Sequence, residues 1–66
     1  MSNLQSIRKI KGLSQNDLAK ISGLSRSSIC KYESGEKNIN KAAAETILIL
    51  SKVLDCSMED LIENQR

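Results

Sequence analysis

The sequence predicts an all-α domain of five short helices, on three observations. Apolar residues recur at steps of three and four through most of the chain, and no alternating strand pattern appears. Proline is absent, and only three glycines punctuate the pattern. Serines stand immediately ahead of several apolar-periodic runs, where a helix N-cap belongs. With 66 residues the chain makes one domain, residues 1–66, with a single core of modest stability. Domains this small usually lean on a disulfide, a metal or self-association.

The first segment opens at Ser2, with Gln5 three residues on as in a capping box, and Leu4, Ile7 and Ile10 follow at steps of three. Gly12 stops it, and Arg8, Lys9 and Lys11 place positive charge at the end that the helix dipole favours. Ser14 opens the second, with Asp17 three residues later, Leu18 and Ile21 on one face and Gly23 at its end. The third begins at Ser25, carries Ser28 at its third position and Ile29 and Tyr32 one helical step apart, and closes on Ser34-Gly35. The stretch EKNINK, residues 36–41, reads as a polar loop with a cap at Asn38 or Asn40. The fourth and longest segment carries Ala43, Ile47, Leu50 and Leu54 in one stripe, with Ala44, Leu48 and Val53 beside it. The fifth starts at Ser57, has Glu59 and Asp60 in its first turn, and buries Leu61 and Ile62. Residues 64–66 are expected to fray.

Composition excludes several functions. Cys30 and Cys56 are far apart and form no disulfide framework, and without histidine they cannot assemble a zinc site. A reducing cytosol is the expected compartment, because the N-terminal residues show no signal-peptide pattern. The longest apolar run, Ile47 to Leu50, falls far short of the roughly 20 residues that span a membrane. A single tyrosine is the only aromatic residue, too few for a base-stacking single-strand binder. No Gly-rich phosphate loop occurs, and no serine or lysine has a visible activating partner, so neither an enzyme nor a cofactor is expected. The net charge of +2 hides an asymmetry. Residues 1–41 hold eight Lys/Arg and three Asp/Glu, giving +5, whereas residues 42–66 hold two and five, giving −3. The first part suits a polyanion and the second would be repelled by one.

Residues 15–33 carry the functional signal. Counting Gln15 as the first position, Leu18 is fourth, Ala19 fifth, Gly23 ninth, Leu24 tenth, Ile29 fifteenth and Tyr32 eighteenth. Ala19 suits the crossing of two helices, Gly23 a backbone with positive φ, and the larger residues fix the interhelical angle. Such a two-helix unit can lay its second helix in the DNA major groove while the first crosses the backbone. The exposed residues of that second helix are Arg26, Ser27, Cys30 and Lys31. Arg and Lys pair with guanine, a serine hydroxyl donates or accepts, and a small Cys suits a thymine methyl. Gln15, behind the Ser14 cap, stands at a helix start suited to phosphate.

These residues resemble the phage-repressor-like, Cro/C1 or Xre-type helix-turn-helix regulators. The likeness runs through Leu4-x-x-Ile7-Arg8, Gly12-Leu13-Ser14-Gln15, Leu18-Ala19, Ser25-Arg26-Ser27-Ser28-Ile29 and Lys31-Tyr32-Glu33-Ser34-Gly35, then resumes at Glu45-Thr46 and continues to Leu61. It implies a five-helix lambda-repressor-like domain, with base contacts from Arg26, Ser27 and Lys31. It also implies phosphate contacts from Gln15, Ser25, Ser28 and the loop residues Lys37, Asn38 and Lys41, and an ion pair between Arg8 and Glu33. Two departures stand out. Ser22 occupies a position that is usually apolar. The stretch from Gly35 to Glu45 is about one helical turn longer than usual, which predicts a longer fourth helix or a bigger loop around residues 40–44. The resemblance further implies a homodimer through residues 53–63, with Met58, Leu61 and Ile62 at the interface, bound to an inverted-repeat operator in double-stranded DNA as a repressor. The alternative is an antitoxin or protein-interaction module, with a toxin or other protein as partner, that also binds its own promoter.

Overall fold

Residues 2–63 are described by the computed structural model, so the fraying expected at residues 64–66 lies outside the described residues. The element order is α1 (Asn3–Ile10), α2 (Gln15–Ser22), α3 (Arg26–Ser34), a 3₁₀ turn (Ile39–Lys41), α4 (Ala44–Leu54) and α5 (Met58–Leu61). The all-helical architecture and the five-helix count match the sequence expectation among the described residues.

Four of the helices start on a serine whose hydroxyl accepts a backbone N–H three residues on: Ser2 from Gln5, Ser14 from Asp17, Ser25 from Ser28 and Ser57 from Asp60. At Ser14 and Ser57 the aspartate reaches back to the cap N–H, which closes a full capping box. That bond holds the Asp17 carboxyl below its ordinary range. At Ser2 only the forward bond forms. Helix α4 is the exception: Ala43 occupies its cap with no side-chain hydrogen bond.

The core comprises Leu4, Leu18, Ile29, Ile39, Ile47, Leu50, Leu54 and Leu61. Around it α2 packs on α3 and α4, and α1 on α3 and α5. Two sequence expectations are corrected here. Ile10 and Ile21, expected on buried faces, are 80% and 58% exposed. A helix turns about 100° per residue, so a step of three falls about 60° short of a full turn. Ile10, two such steps from Leu4, has left the buried face, and the i+4 position is taken by Arg8. Ile39, inside the supposedly polar EKNINK stretch, is a core residue at 3% exposure. Of the two outcomes expected for the lengthened stretch after Gly35, the structure shows the bigger loop, and α4 is not extended. The stretch folds as the 3₁₀ turn, capped by Asn38, and sends Ile39 inward.

The C-terminal segment after α5 crosses back over the start of α1. Asn3 donates its backbone N–H to the Glu63 carboxylate (2.6 Å) and its side-chain amide to the Ile62 carbonyl (2.9 Å). From the other side, Asn40 donates its amide to the Glu63 carbonyl (2.7 Å) and accepts the Glu63 N–H (2.8 Å).

Candidate nucleic-acid interface

The turn between α2 and α3 is built from local chemistry. Gly23 ends α2 in the left-handed region at φ +78°, where a Cβ would be strained, and its N–H reaches the Ala19 carbonyl at 2.9 Å. Ser22, which is half-buried, turns its hydroxyl to accept the Leu24 N–H at 3.2 Å. A serine therefore serves at this position because it satisfies a turn N–H. Ser25 then starts α3, accepting the Ser28 N–H at 3.1 Å and donating to the Ser28 hydroxyl at 2.9 Å. Leu18 and Ile29 are wholly enclosed, and Ala19, Leu24 and Tyr32 pack against them, which fixes the angle between the two helices.

A buried ionic network locks the far end of α3. Arg8 donates from Nε to Glu33 Oε2 (2.6 Å) and from Nη2 to Glu33 Oε1 (3.0 Å), a two-point pairing of guanidinium and carboxylate. Its Nη1 donates to the Leu13 carbonyl at 2.7 Å. The side chains of Arg8 and Glu33 are 8% and 3% exposed. The hydrogen bonds to Glu33 hold the Arg8 guanidinium above even its usual high pKa, against the opposing effect of burial. No buried side-chain nitrogen or oxygen among the described residues lacks a partner. The pair ties α1 to α3 and keeps the Glu33 charge off the outer surface.

With its inner face and its end both fixed, α3 leaves Arg26, Ser27 and Cys30 exposed and Lys31 half-buried. The loop beyond it presents Lys37, Asn38 and Lys41 to solvent. Gly35 at φ +87° ends α3, and the Lys37 N–H returns to the Lys31 carbonyl at 3.1 Å. The Lys37 ammonium lies 5.5 Å from the centre of the Tyr32 ring, a cation–π contact at an exposed site. Ser25 and Ser28 lie at the helix start as expected, with the Ser25 hydroxyl spent on the cap.

The structure moves two expected residues inward. Gln15, expected to face phosphate, donates its side-chain amide to Glu33 Oε1 at 3.0 Å and so extends the Arg8–Glu33 network. Leu61, expected at a dimer surface, has no exposed area because it belongs to the core. Its neighbours differ: Met58 is 37% exposed and Ile62 half-buried. Sequence reasoning also missed the Asn40–Glu63 pairing and the Lys37–Tyr32 contact. Both join residues that share no periodic pattern.

A helix-turn-helix family model matches residues 4–61. The chain is 41% identical over 63 residues to the control protein C.SmaI of Serratia marcescens, an alignment that covers 96% of this chain and 71% of that protein. Its fold is similar to the crystal structure of the restriction-modification controller protein C.AhdI of Aeromonas hydrophila. That match has a TM-score of 0.79 at 38% identity and covers 91% of this chain and 86% of the other. The turn geometry, the locked second helix and these relationships lead to one conclusion: the chain belongs to the Cro/C1-type helix-turn-helix family of DNA-binding transcription regulators.

Proposed function

We propose that this protein is a dimeric, sequence-specific regulator in the cytoplasm that controls the genes of a restriction–modification system, repressing transcription by occupying an inverted-repeat operator. The observation that carries the reading is the presentation of α3. Its inner face is held by Leu18 and Ile29 and its end by the Arg8–Glu33 pair, while Arg26, Ser27 and Cys30 stand exposed with Lys31 beside them. A helix fixed in this way enters the major groove as a rigid reader. Arg26 and Lys31 take guanine edges, Ser27 either base, and Cys30 a thymine methyl. Phosphates are held by the start of α3 at Ser25 and Ser28, by the Gln15 main chain at the start of α2, and by Lys37, Asn38 and Lys41. The restriction–modification role rests on the likeness to C.SmaI and C.AhdI.

Selection of bound duplexes from a random library tests the reading. The expected product is an inverted repeat with half-sites about 34 Å apart. Arg26→Ala and Lys31→Ala should each cost about 1–3 kcal/mol and relax preference at one base position of each half-site. A library that returns no enriched motif would sink the proposal. A promoter carrying the selected repeat, fused to a reporter, should fall in output as the protein is supplied.

A further inference from the structure

We propose that Asn40 is a positioning residue for DNA binding: its side-chain amide clamps the main chain of Glu63 and thereby fixes the basic segment at residues 37–41. The inference rests on the functional reading above, which places Lys37, Asn38 and Lys41 on phosphate.

Lys37 is tied to α3 through the Lys31 carbonyl and the Tyr32 ring, but the rest of the segment has fewer anchors. Its only core residue is Ile39. Beside it lies a surface cleft of about 340 Å³ lined by Tyr32, Glu33, Lys37, Ile39 and Glu63. The Asn40 amide compensates. Its oxygen accepts the Glu63 N–H and its nitrogen donates to the Glu63 carbonyl, at 2.8 and 2.7 Å, across 23 residues of sequence. This is the bonding that one residue of a neighbouring strand would offer, supplied by a single side chain. The Asn40 backbone is fixed in turn, since its N–H donates to Asn38 Oδ1 at 2.9 Å. Glu63 is itself held at the start of α1 through Asn3. A continuous set of bonds therefore runs from α1 through Glu63 and Asn40 to Asn38, between Lys37 and Lys41. A long ammonium side chain neutralises phosphate only if its backbone is in place, and each misplaced contact weakens binding to any sequence.

The test uses the full chain with three substitutions, and the selected operator and an unrelated duplex as probes. Asn40→Ala removes both bonds. Glu63→Pro removes the Glu63 N–H, and Ile62, at φ −74° and ψ 136°, already has the backbone that a following proline requires. Glu63→Ala keeps the main-chain clamp and loses only the carboxylate. Asn40→Ala is expected to weaken both duplexes by about tenfold near 0.1 M salt, to make the salt dependence shallower by about one unit, and to leave base preference unchanged. In the Glu63→Ala background the same loss should appear. In the Glu63→Pro background, which keeps only the Glu63 carbonyl as a partner of the amide, the Asn40→Ala loss should be clearly smaller. Circular dichroism at the assay temperature verifies that each variant is folded. Wild-type affinity and salt slope in Asn40→Ala would overturn the proposal, as would an equal Asn40→Ala loss in the Glu63→Pro background. If the unsubstituted chain shows no salt-dependent binding to either duplex, the functional reading fails first and the proposal falls with it.

Discussion

At the scale of single residues, the most consequential side chains are the two buried charges, Arg8 and Glu33. Taking Arg8 and Glu33 out of water is costly, and their two-point pairing, the Leu13 carbonyl and the Gln15 amide repay that cost only as a set. Arg8→Met would strand the Glu33 carboxylate, and Glu33→Gln would strand the guanidinium. Each should lower stability by about 3–5 kcal/mol in urea unfolding, a large share of what so small a domain has. The double substitution should cost clearly less than the sum, because it leaves no unpaired charge. Additive losses would show that the two act independently. The two cysteines offer a second contrast. Cys30 is exposed on α3, whereas Cys56 is half-buried and its thiol is pushed up, chiefly by burial. A raised pKa means less thiolate at neutral pH, and the thiolate is the reacting form. Iodoacetamide should therefore modify Cys30 first, with loss of DNA binding, and Cys56 should follow slowly. Equal rates by mass spectrometry would contradict this placement.

At the scale of elements, local signals were legible and distant ones were not. Serine caps could be read directly because the bond they make spans three residues. The turn at Gly23 could be read because a left-handed backbone favours glycine. Faces were misjudged where apolar residues recur by threes alone, as at Ile10 and Ile21, because such a row winds off the buried side. Ile39 was illegible for a different reason: one apolar residue in a 3₁₀ turn has no period, and only the packing of the turn reveals that it points inward. The Asn40–Glu63 clamp joins positions with no sequence relation. The Arg8–Glu33 pair came from family likeness, since separation in the chain gives no hint of it. The single uncapped helix supplies the test at this scale. Ala43 already has the extended backbone of a cap residue, at φ −58° and ψ 142°, and is exposed. Ala43→Asp should therefore need no rearrangement, satisfy a free N–H of α4, and place a carboxylate at the positive end of the helix dipole. Stability should rise by about 0.5–2 kcal/mol, read as a higher urea midpoint with an unchanged slope. An unchanged midpoint would mean that water already satisfies that helix end at no cost.

At the scale of the whole molecule, the charge asymmetry and the exposed apolar residues together bear on how two copies meet. Arg26, Lys31, Lys37 and Lys41 lie on α3 and the segment after it, while Glu45, Asp55, Glu59 and Asp60 lie on α4, α5 and their junction. On the proposed function, DNA is drawn to α3 and the segment after it, which leaves α4 and α5 for protein contact. On that other side Leu48 is 41% and Met58 37% exposed, on two helices that pack together. Met58→Asp should leave the fold intact, because Met58 lies outside the core, while placing a charge in the contact. Sedimentation should then show a monomer of 7.3 kDa where the proposed dimer of the unsubstituted chain is expected at twice that mass. Apparent affinity for the full repeat should fall by roughly 10²–10⁴-fold, the advantage of linking two half-sites, while single half-site binding is kept. Leu61→Ala provides the contrast. Leu61 is fully enclosed, so its truncation should destabilise the monomer by about 2–5 kcal/mol and weaken both full and half sites through unfolding. If Met58→Asp remained dimeric with full operator affinity, the α4–α5 face would not be the contact, and the pairing surface would have to lie elsewhere.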